Sequence, residues 1–277
     1  MHLLIDADSG IYKAGLSNET REYHAIDEGG IVAHACQYKK DMDAWIEQDG
    51  GVYDVCKHKY AGPLSYSLAN AKSVFTHMLD IIPEHTSYQL YISGEGNFRY
   101  DIYPDYKGKR KPEDRPIHEQ EIRKYLIEHW GAEVVNGEEV DDTVSWKQCT
   151  SSHSTCIVSI DKDLLNTPGL NFNYDFKNEK GEKVGKMTDI SPNQANLNFA
   201  RQLLTGDATD NIPGLYKCGP VKARKLLPEY NPEWLEIIME SYKMEFGDDW
   251  KERLELIGQL LWMRRKPNEW WTIDYEY

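Results

Sequence analysis

Apolar residues in the segment LSYSLANAKSVFTHMLDII (64–82) recur at Leu64, Leu68, Ala71, Phe75, Met78, Leu79 and Ile82. That is the spacing of an amphipathic helix, and Pro83 marks its end. Elsewhere apolar residues come in short unbroken runs: Leu3-Leu4-Ile5, YQLYI at 88–92, AEVV at 132–135 and TCIVSI at 155–160. Such runs predict short buried strands. Helical period returns over 117–130 and from Glu138 to Cys149, so strands and helices alternate. This is the pattern of an α/β fold with a parallel sheet and flanking helices. After Asn193 the pattern is helical, over 193–205, 219–228, 232–245 and 249–264. We therefore expect an α/β domain over 1–190 and a helical domain over 191–277. Residues 98–116, rich in Tyr, Pro, Lys and Arg, read as a loop, and 17–62 has turn signals without a clear period.

Composition narrows the class. With 277 residues, 40% hydrophobic and 28% charged, the chain can bury a sizeable core and reads as a soluble globular protein. No run approaches the roughly 18 apolar residues of a membrane span. The N-terminus, MHLLIDADSG, meets an aspartate too early for a signal peptide. Five cysteines without CxxC spacing predict a reduced, cytoplasmic setting and no structural zinc. A net charge of −14 argues against a nucleic-acid partner. That argument fails if the carboxylates gather around divalent cations, which invert the local field.

The acids do gather at the ends of predicted elements. Asp6 follows the first strand, with Asp8 two residues on as a solvent-facing or supporting group, and Glu95 follows YQLYISG. Glu139, Asp141 and Asp142 open a helix in NGEEVDDTVSW, Asp161 and Asp163 follow TCIVSI, and Asp207 and Asp210 stand in TGDATDN. Parallel α/β sheets bind ligands outside the carboxyl ends of their strands, so these segments would aim at one crevice. Asp161 and Asp163, two apart on an extended chain, would point to one side. Asp207 and Asp210, like Glu139 and Asp142, would share one helix face. So many carboxylates cannot stay ionised together without cations, and oxygen donors without a His/Cys cluster suit Mg²⁺ or Mn²⁺. Plainer readings exist for each group alone: helix capping for 138–142, a solvated turn for 161–163, and turn capping for 207–210.

Two basic pieces stand beside them. YPDYKGKRK (103–111) concentrates Tyr103, Tyr106, Lys107, Lys109, Arg110 and Lys111, which could hold phosphate and stack on an unpaired base. A solubilising loop is the plainer alternative. In LLTGDATDNIPGLYKCGPVKARKLL (203–227), Gly214 and Gly219 flank a turn, Pro220 suits a first helical turn, and Lys222, Arg224 and Lys225 follow. A glycine-bearing turn entering a helix can offer N–H groups to a phosphate without reading a base.

These segments resemble, in family order, the motifs of the 5′-nuclease (flap endonuclease) superfamily. TGDATDNIPGLYKCGPVKARKLL is similar to its helix-three-turn-helix segment, GDxxDNIPGxxGIGxKTAxxLL. NGEEVDDTVS is similar to its GxEADD segment, VSIDKDLLN to SxDxDxxQ, and FRYDIYPDYKGKRK to FRxxxxxxYKxxR, while Asp6 matches the N-terminal VDG-like aspartate. The tail and the lack of a polymerase domain resemble the stand-alone exonucleases of lytic tailed phages.

The resemblance implies a PIN-like α/β nuclease domain carrying a short basic arch at about 98–137, and a helical domain with the helix-three-turn-helix at about 203–227. It implies two divalent ions held by Asp6, Glu95, Glu139, Asp141, Asp142, Asp161, Asp163, Asp207 and Asp210. Lys107 and Arg110 would act on the scissile phosphate. Tyr106, Lys109, Lys111, Gly214, Lys217, Gly219, Lys222, Arg224 and Lys225 would contact DNA. The implied activity is a structure-directed 5′→3′ exonuclease, extended to flaps and to RNA primers. Its partner would be duplex DNA with a 5′ end, nick or flap, or an RNA–DNA hybrid, bound by a monomer in the cytoplasm, the host's for a phage protein. Three departures stand out. Glu95 replaces the commoner aspartate, and Lys217 replaces a turn glycine, which argues against the family's monovalent-cation site. The Arg110–Gly137 span is short for a tall arch. A retired nucleic-acid-binding module and a PIN-type ribonuclease are the alternatives. The first predicts lost acids, and the second lacks a segment like 203–227.

Overall fold

The structure, a computed structural model, describes residues 1–82, 84–109 and 114–275. In its first half the elements are β1 His2–Asp6, α1 Asp8–Leu16, β2 Glu19–Ile26, β3 Val32–Cys36, α2 Lys39–Asp49, β4 Asp54–Ala61, α3 Leu64–Ile81, β5 Ser87–Ser93, α4 Phe98–Ile102 and α5 Glu119–Trp130. The remainder comprises β6 Glu133–Val135, α6 Val140–Thr150, β7 Thr155–Val158, β8 Gly169–Asn173, β9 Lys186–Ile190 and α7 Pro192–Thr205. A two-residue pair follows, β10 Gly206–Asp207 with β11 Ile212–Pro213, then α8 Pro220–Leu226, α9 Trp234–Phe246 and α10 Trp250–Leu261. The chain divides into two compact units: Met1–Ser9, His77–Asp114 and Leu126–Tyr277 form one, and Gly10–Thr76 with Arg115–Tyr125 the other.

The first unit is built on a six-stranded sheet in the order β6-β5-β1-β7-β8-β9. The first five strands are parallel, and β9 closes the edge antiparallel to β8. The apolar runs read from the sequence are its strands, and their residues bury fully: Leu3, Ile5, Leu90, Ile92 and Val158 are each at 0% exposure. From β1 the chain departs to β5 on one side and later to β7 on the other. The carboxyl end of β1 is therefore a topological switch point, and Asp6 is its last residue. On the sheet, Val140 and Val144, one helical turn apart on α6, pack with Leu4, Tyr91, Val135, Ile157 and Leu164.

Helices α7 to α10 follow the sequence expectation within one to three residues at each end. They share a second core in which Phe199 meets Trp234, Trp262 and Trp271 edge-on, with centroids 6.2, 4.9 and 5.4 Å away. Burial of each such ring removes a large apolar area from water, and the edge-to-face geometry adds to that.

The second unit holds an antiparallel sheet in the order β3-β2-β4, with β2 and β4 in register from Glu19↔Ala61 to Ile26↔Asp54. Of β2 only Ala25 is fully buried, which is why residues 17–62 show no clean period. Strands β8 and β9 were not expected either. Residues 98–116 are not simply a loop: α4 opens them, capped by Asn97, whose side chain accepts the Arg99 N–H at 3.0 Å. No described helix is long and apolar enough to cross a membrane, and all five cysteines are free.

Candidate active site

The strand ends deliver the acids as the topology requires. Asp6 is buried at the tip of β1, where Oδ2 accepts from the Ser159 hydroxyl at 2.8 Å and Oδ1 from the Asp8 N–H at 3.1 Å. Ser159 lies just past β7, and its Oγ also accepts the Asp161 N–H at 3.0 Å. One hydroxyl thus ties two acid-bearing strand ends together. Asp8 reaches to β5: its carboxylate accepts the Ser93 N–H at 3.2 Å and the Ser93 hydroxyl.

Two local geometries differ from expectation. Asp161 and Asp163 do not sit on an extended chain. Lys162 is helical in φ and ψ, Asp163 opens a 3-10 turn, and Asp161 Oδ1 accepts the Asp163 N–H at 2.8 Å. Asp207 and Asp210 share no helix face. Asp207 ends β10, and its Oδ1 accepts the N–H groups of Thr209 and Asp210 at 2.7 and 3.3 Å.

The helix start at 138–142 separates into two functions. Glu138 and Asp142 are structural. Asp142, fully buried, is gripped by both terminal nitrogens of fully buried Arg99, one at 3.0 Å, and its Oδ2 accepts the Glu139 N–H at 3.3 Å. Its expected place among metal-site acids is therefore corrected: an arginine already neutralises it. Glu138 accepts from Thr143 and Trp146 and pairs with Arg264 at 2.7 Å. Glu139 and Asp141 instead line a pocket with Tyr106, Lys107, Asp161, Asp163 and Asp210. Asp6 presses on the same group, since its charge is felt at Asp141. Glu95 is exposed and does not line the pocket.

Tyr106 also needs correction. At 2% exposure it cannot stack on a base; its hydroxyl faces Glu139 Oε2 at 3.0 Å and Asp210 Oδ2 at 2.9 Å, two acceptors for one proton. Lys107, at φ 54°, sends its ammonium to Glu139 and to within 3.6 Å of Asp210. Lys109 is exposed in the same turn. Arg110 and Lys111 lie outside the described residues.

The electrostatics record the crowding. Burial, then the Asp8 charge, pushes the Asp6 carboxyl up to about 7. Burial and then Asp161 push Asp163 up to about 7. Asp141 is raised well above the carboxylate range by burial and then by Asp6, Asp161 and Glu139. Against their own burial, Glu139 is held low by Lys107 and Arg99, and Asp207 by Lys162 with two backbone N–H groups. An all-oxygen donor set with excess negative charge fits a hard divalent cation. As the side chains stand, no three His, Cys, Asp or Glu among the described residues close on one point, and two lysines occupy the spaces between acids.

Beyond the pocket, 203–227 runs from the end of α7 through the β10–β11 pair and a turn into α8. Gly214 packs on the end of α7, where a Cβ would lie 2.2 Å from the Thr205 carbonyl carbon, so only glycine fits. Lys217 stands at φ 50°, the left-handed region that favours glycine. Helix α8 buries Ala223 and leaves Lys222, Arg224 and Lys225 exposed, as are Lys217 and Gly219.

No protein-family model matches the sequence. DNA polymerase I of Bacillus caldotenax is 25% identical over 216 residues, 71% of this chain and 24% of that one. A 5′-3′ exonuclease of Aquifex aeolicus is 31% identical over 177 residues, 59% of each chain. The curated relatives it resembles are thus 5′-3′ exonucleases, flap endonucleases and DNA polymerase I. The chain spans about a quarter of that polymerase and under two thirds of that exonuclease. The fold is similar to that of the T5 D15 protein, a crystal structure with metal ions, at TM-score 0.52 and 12% identity over 94% of this chain and 88% of that one.

Three residues that bear on the site escape a reading of motifs. Ser159, in the VSIDKD segment, is the one with a signal, standing two before Asp161. Gln202 on α7 donates to Asp163 Oδ1 at 2.5 Å and is itself held by Asn166. Lys162 donates to Asp207 Oδ2 at 2.7 Å. The last two contacts are made across the fold and leave no mark in local sequence.

Proposed function

We propose that the protein is a structure-directed 5′→3′ exonuclease, with flap endonuclease activity and removal of RNA from RNA–DNA hybrids. The observation that carries this is one pocket at the carboxyl ends of parallel strands, gathering Glu139, Asp141, Asp161, Asp163 and Asp210 around a lysine. Two Mg²⁺ or Mn²⁺ ions, when bound, would supply a water activated at neutral pH and charge compensation for the leaving oxygen. Asp6, Asp141, Asp161 and Asp163 form the group we assign to hold them, with Glu139, Asp207, Asp210 and the exposed Glu95 around it. Lys107 exchanges its carboxylate partners for a non-bridging oxygen of the scissile phosphate, and Arg110 assists; such preorganised charge stabilises the transition state. Tyr106 holds a proton between Glu139 and Asp210 and fixes both carboxylates.

Residues 191–277 serve as the duplex-binding part and 203–227 as its helix-three-turn-helix. Exposed Lys217, Lys222, Arg224 and Lys225, with Lys109 and Lys111, grip phosphates without reading sequence. Strong salt dependence follows. The protein acts as a monomer in the cytoplasm, the host's for a phage protein. A retired binding module is disfavoured because the acids are in place. A PIN-type ribonuclease is disfavoured by the basic helix after the turn.

The test is cleavage of duplex DNA labelled at one 5′ end, with Mg²⁺ or EDTA and with Asp161→Ala alongside. Mg²⁺-dependent release of short labelled products, lost in the variant, supports the reading. Binding without cleavage would instead establish the retired module.

A further inference from the structure

Two lysines pair with the gathered acids in different circumstances. Lys107 has a side chain only 14% exposed, between Glu139 and Asp210 and against the Tyr106 ring. Lys162 has a side chain 67% exposed, yet its ammonium lies 2.7 Å from buried Asp207 and 4.0 Å from Asp163. An exposed lysine ordinarily keeps its ammonium in water, because fixing four rotatable bonds costs entropy. Here it turns inward to acids that have too little counter-charge. Asp163 is fixed from the other side by Gln202, and Asp207 by the Thr209 and Asp210 N–H groups, so the carboxylates are held and the lysine is the movable partner.

We infer that Lys162 is a built-in counter-ion for Asp163 and Asp207 which an incoming divalent cation must displace, so that Lys162 weakens cation binding at this end of the pocket. The inference rests on the metal-dependent reading above. The same oxygens cannot serve an ammonium and a cation at once, and a divalent ion beside a fixed ammonium is repelled. The exposed stem lets the ammonium swing into water without disturbing the core. The cation binding this end therefore gains less than it would at bare carboxylates, and its occupancy becomes sensitive to concentration.

Titration of the full chain with Mn²⁺, followed by calorimetry or by the spectrum of free Mn²⁺, tests this. Lys162→Met should bind the weaker Mn²⁺ roughly threefold tighter, the scale of a partly exposed ion pair, while Lys162→Arg stays at the wild-type value. The gain should vanish in an Asp207→Asn background. Unchanged or weaker binding in Lys162→Met, or a gain that persists without Asp207, would overturn the inference. Absence of Mn²⁺ binding by the wild-type chain would instead overturn the metal-dependent reading itself. Unfolding in EDTA verifies that each variant is folded.

Discussion

Asp141 and Asp142 are neighbours in the first turn of α6, yet they belong to opposite kinds of environment. Asp142 points into the interior against the Arg99 guanidinium, and the pair is fully buried. Asp141 points into a pocket shared with other carboxylates and Lys107, and burial followed by the charges of Asp6, Asp161 and Glu139 raises its carboxyl. The buried pair satisfies its charges and fixes α4 to α6. The pocket leaves charge unsatisfied, which a fold selected only for stability would not retain. Unsatisfied charge beside a satisfied copy of the same residue separates a binding site from a helix start.

The sharpest way to break the contrast is to empty each side in turn. Asp142→Ala leaves Arg99 buried without its partner and should cost about 3–5 kcal/mol in urea unfolding, with activity lost through misfolding. Asp141→Asn should lower the proposed 5′-nuclease turnover at least about a hundredfold, more than loss of a supporting contact would. In EDTA it should unfold at equal or higher denaturant than the wild type, because a repelled carboxylate has gone. Equal destabilisation by the two substitutions would erase the distinction.

A smaller effect sharpens it through pH. Asp6 and Asp163 have folded-state values raised to about 7. Their contribution to stability is therefore present below the ordinary carboxylate range near 4 and is lost as pH rises through 7. Glu139 and Asp207, held low, act oppositely: their contribution is present above that range and is lost on acidification. In EDTA, stability should rise as pH falls from about 8 to 5 and decline below about 4. Saturating Mn²⁺ should remove the upper slope, as thermal unfolding across pH would record. Smaller again, Tyr106→Phe removes the hydroxyl shared by Glu139 and Asp210 and should cost about 1.5 kcal/mol at pH 8 by the same unfolding measurement.

What the sequence carries and what it hides divide along physical lines. Strands β1, β5 and β7 are covered on both faces and read as apolar runs. Helix α3 has one clear stripe. The half-exposed sheet of β2, β3 and β4 has neither signal, and β8, whose Asn171 is buried, breaks the apolar run a central strand would show. In the site, the acids at strand tips are legible because a parallel sheet must end somewhere polar. That Asp142 faces an arginine, that Tyr106 is interior, and that Lys162 and Gln202 reach the acids depend on which way side chains turn after folding. Residues 43, 45 and 39 positions apart meet in those contacts, and no local pattern encodes them.

The central question is whether the crowded carboxylates are kept for a cation. Thermal unfolding of wild type and of Asp141→Asn/Asp163→Asn, with EDTA or with Mn²⁺ at a hundredfold excess over its dissociation constant, asks this directly. Mn²⁺ should stabilise the wild type by about 2.7 kcal/mol and the double variant, already the more stable in EDTA, little or not at all. A wild type indifferent to Mn²⁺, or a double variant stabilised just as much, would contradict this expectation.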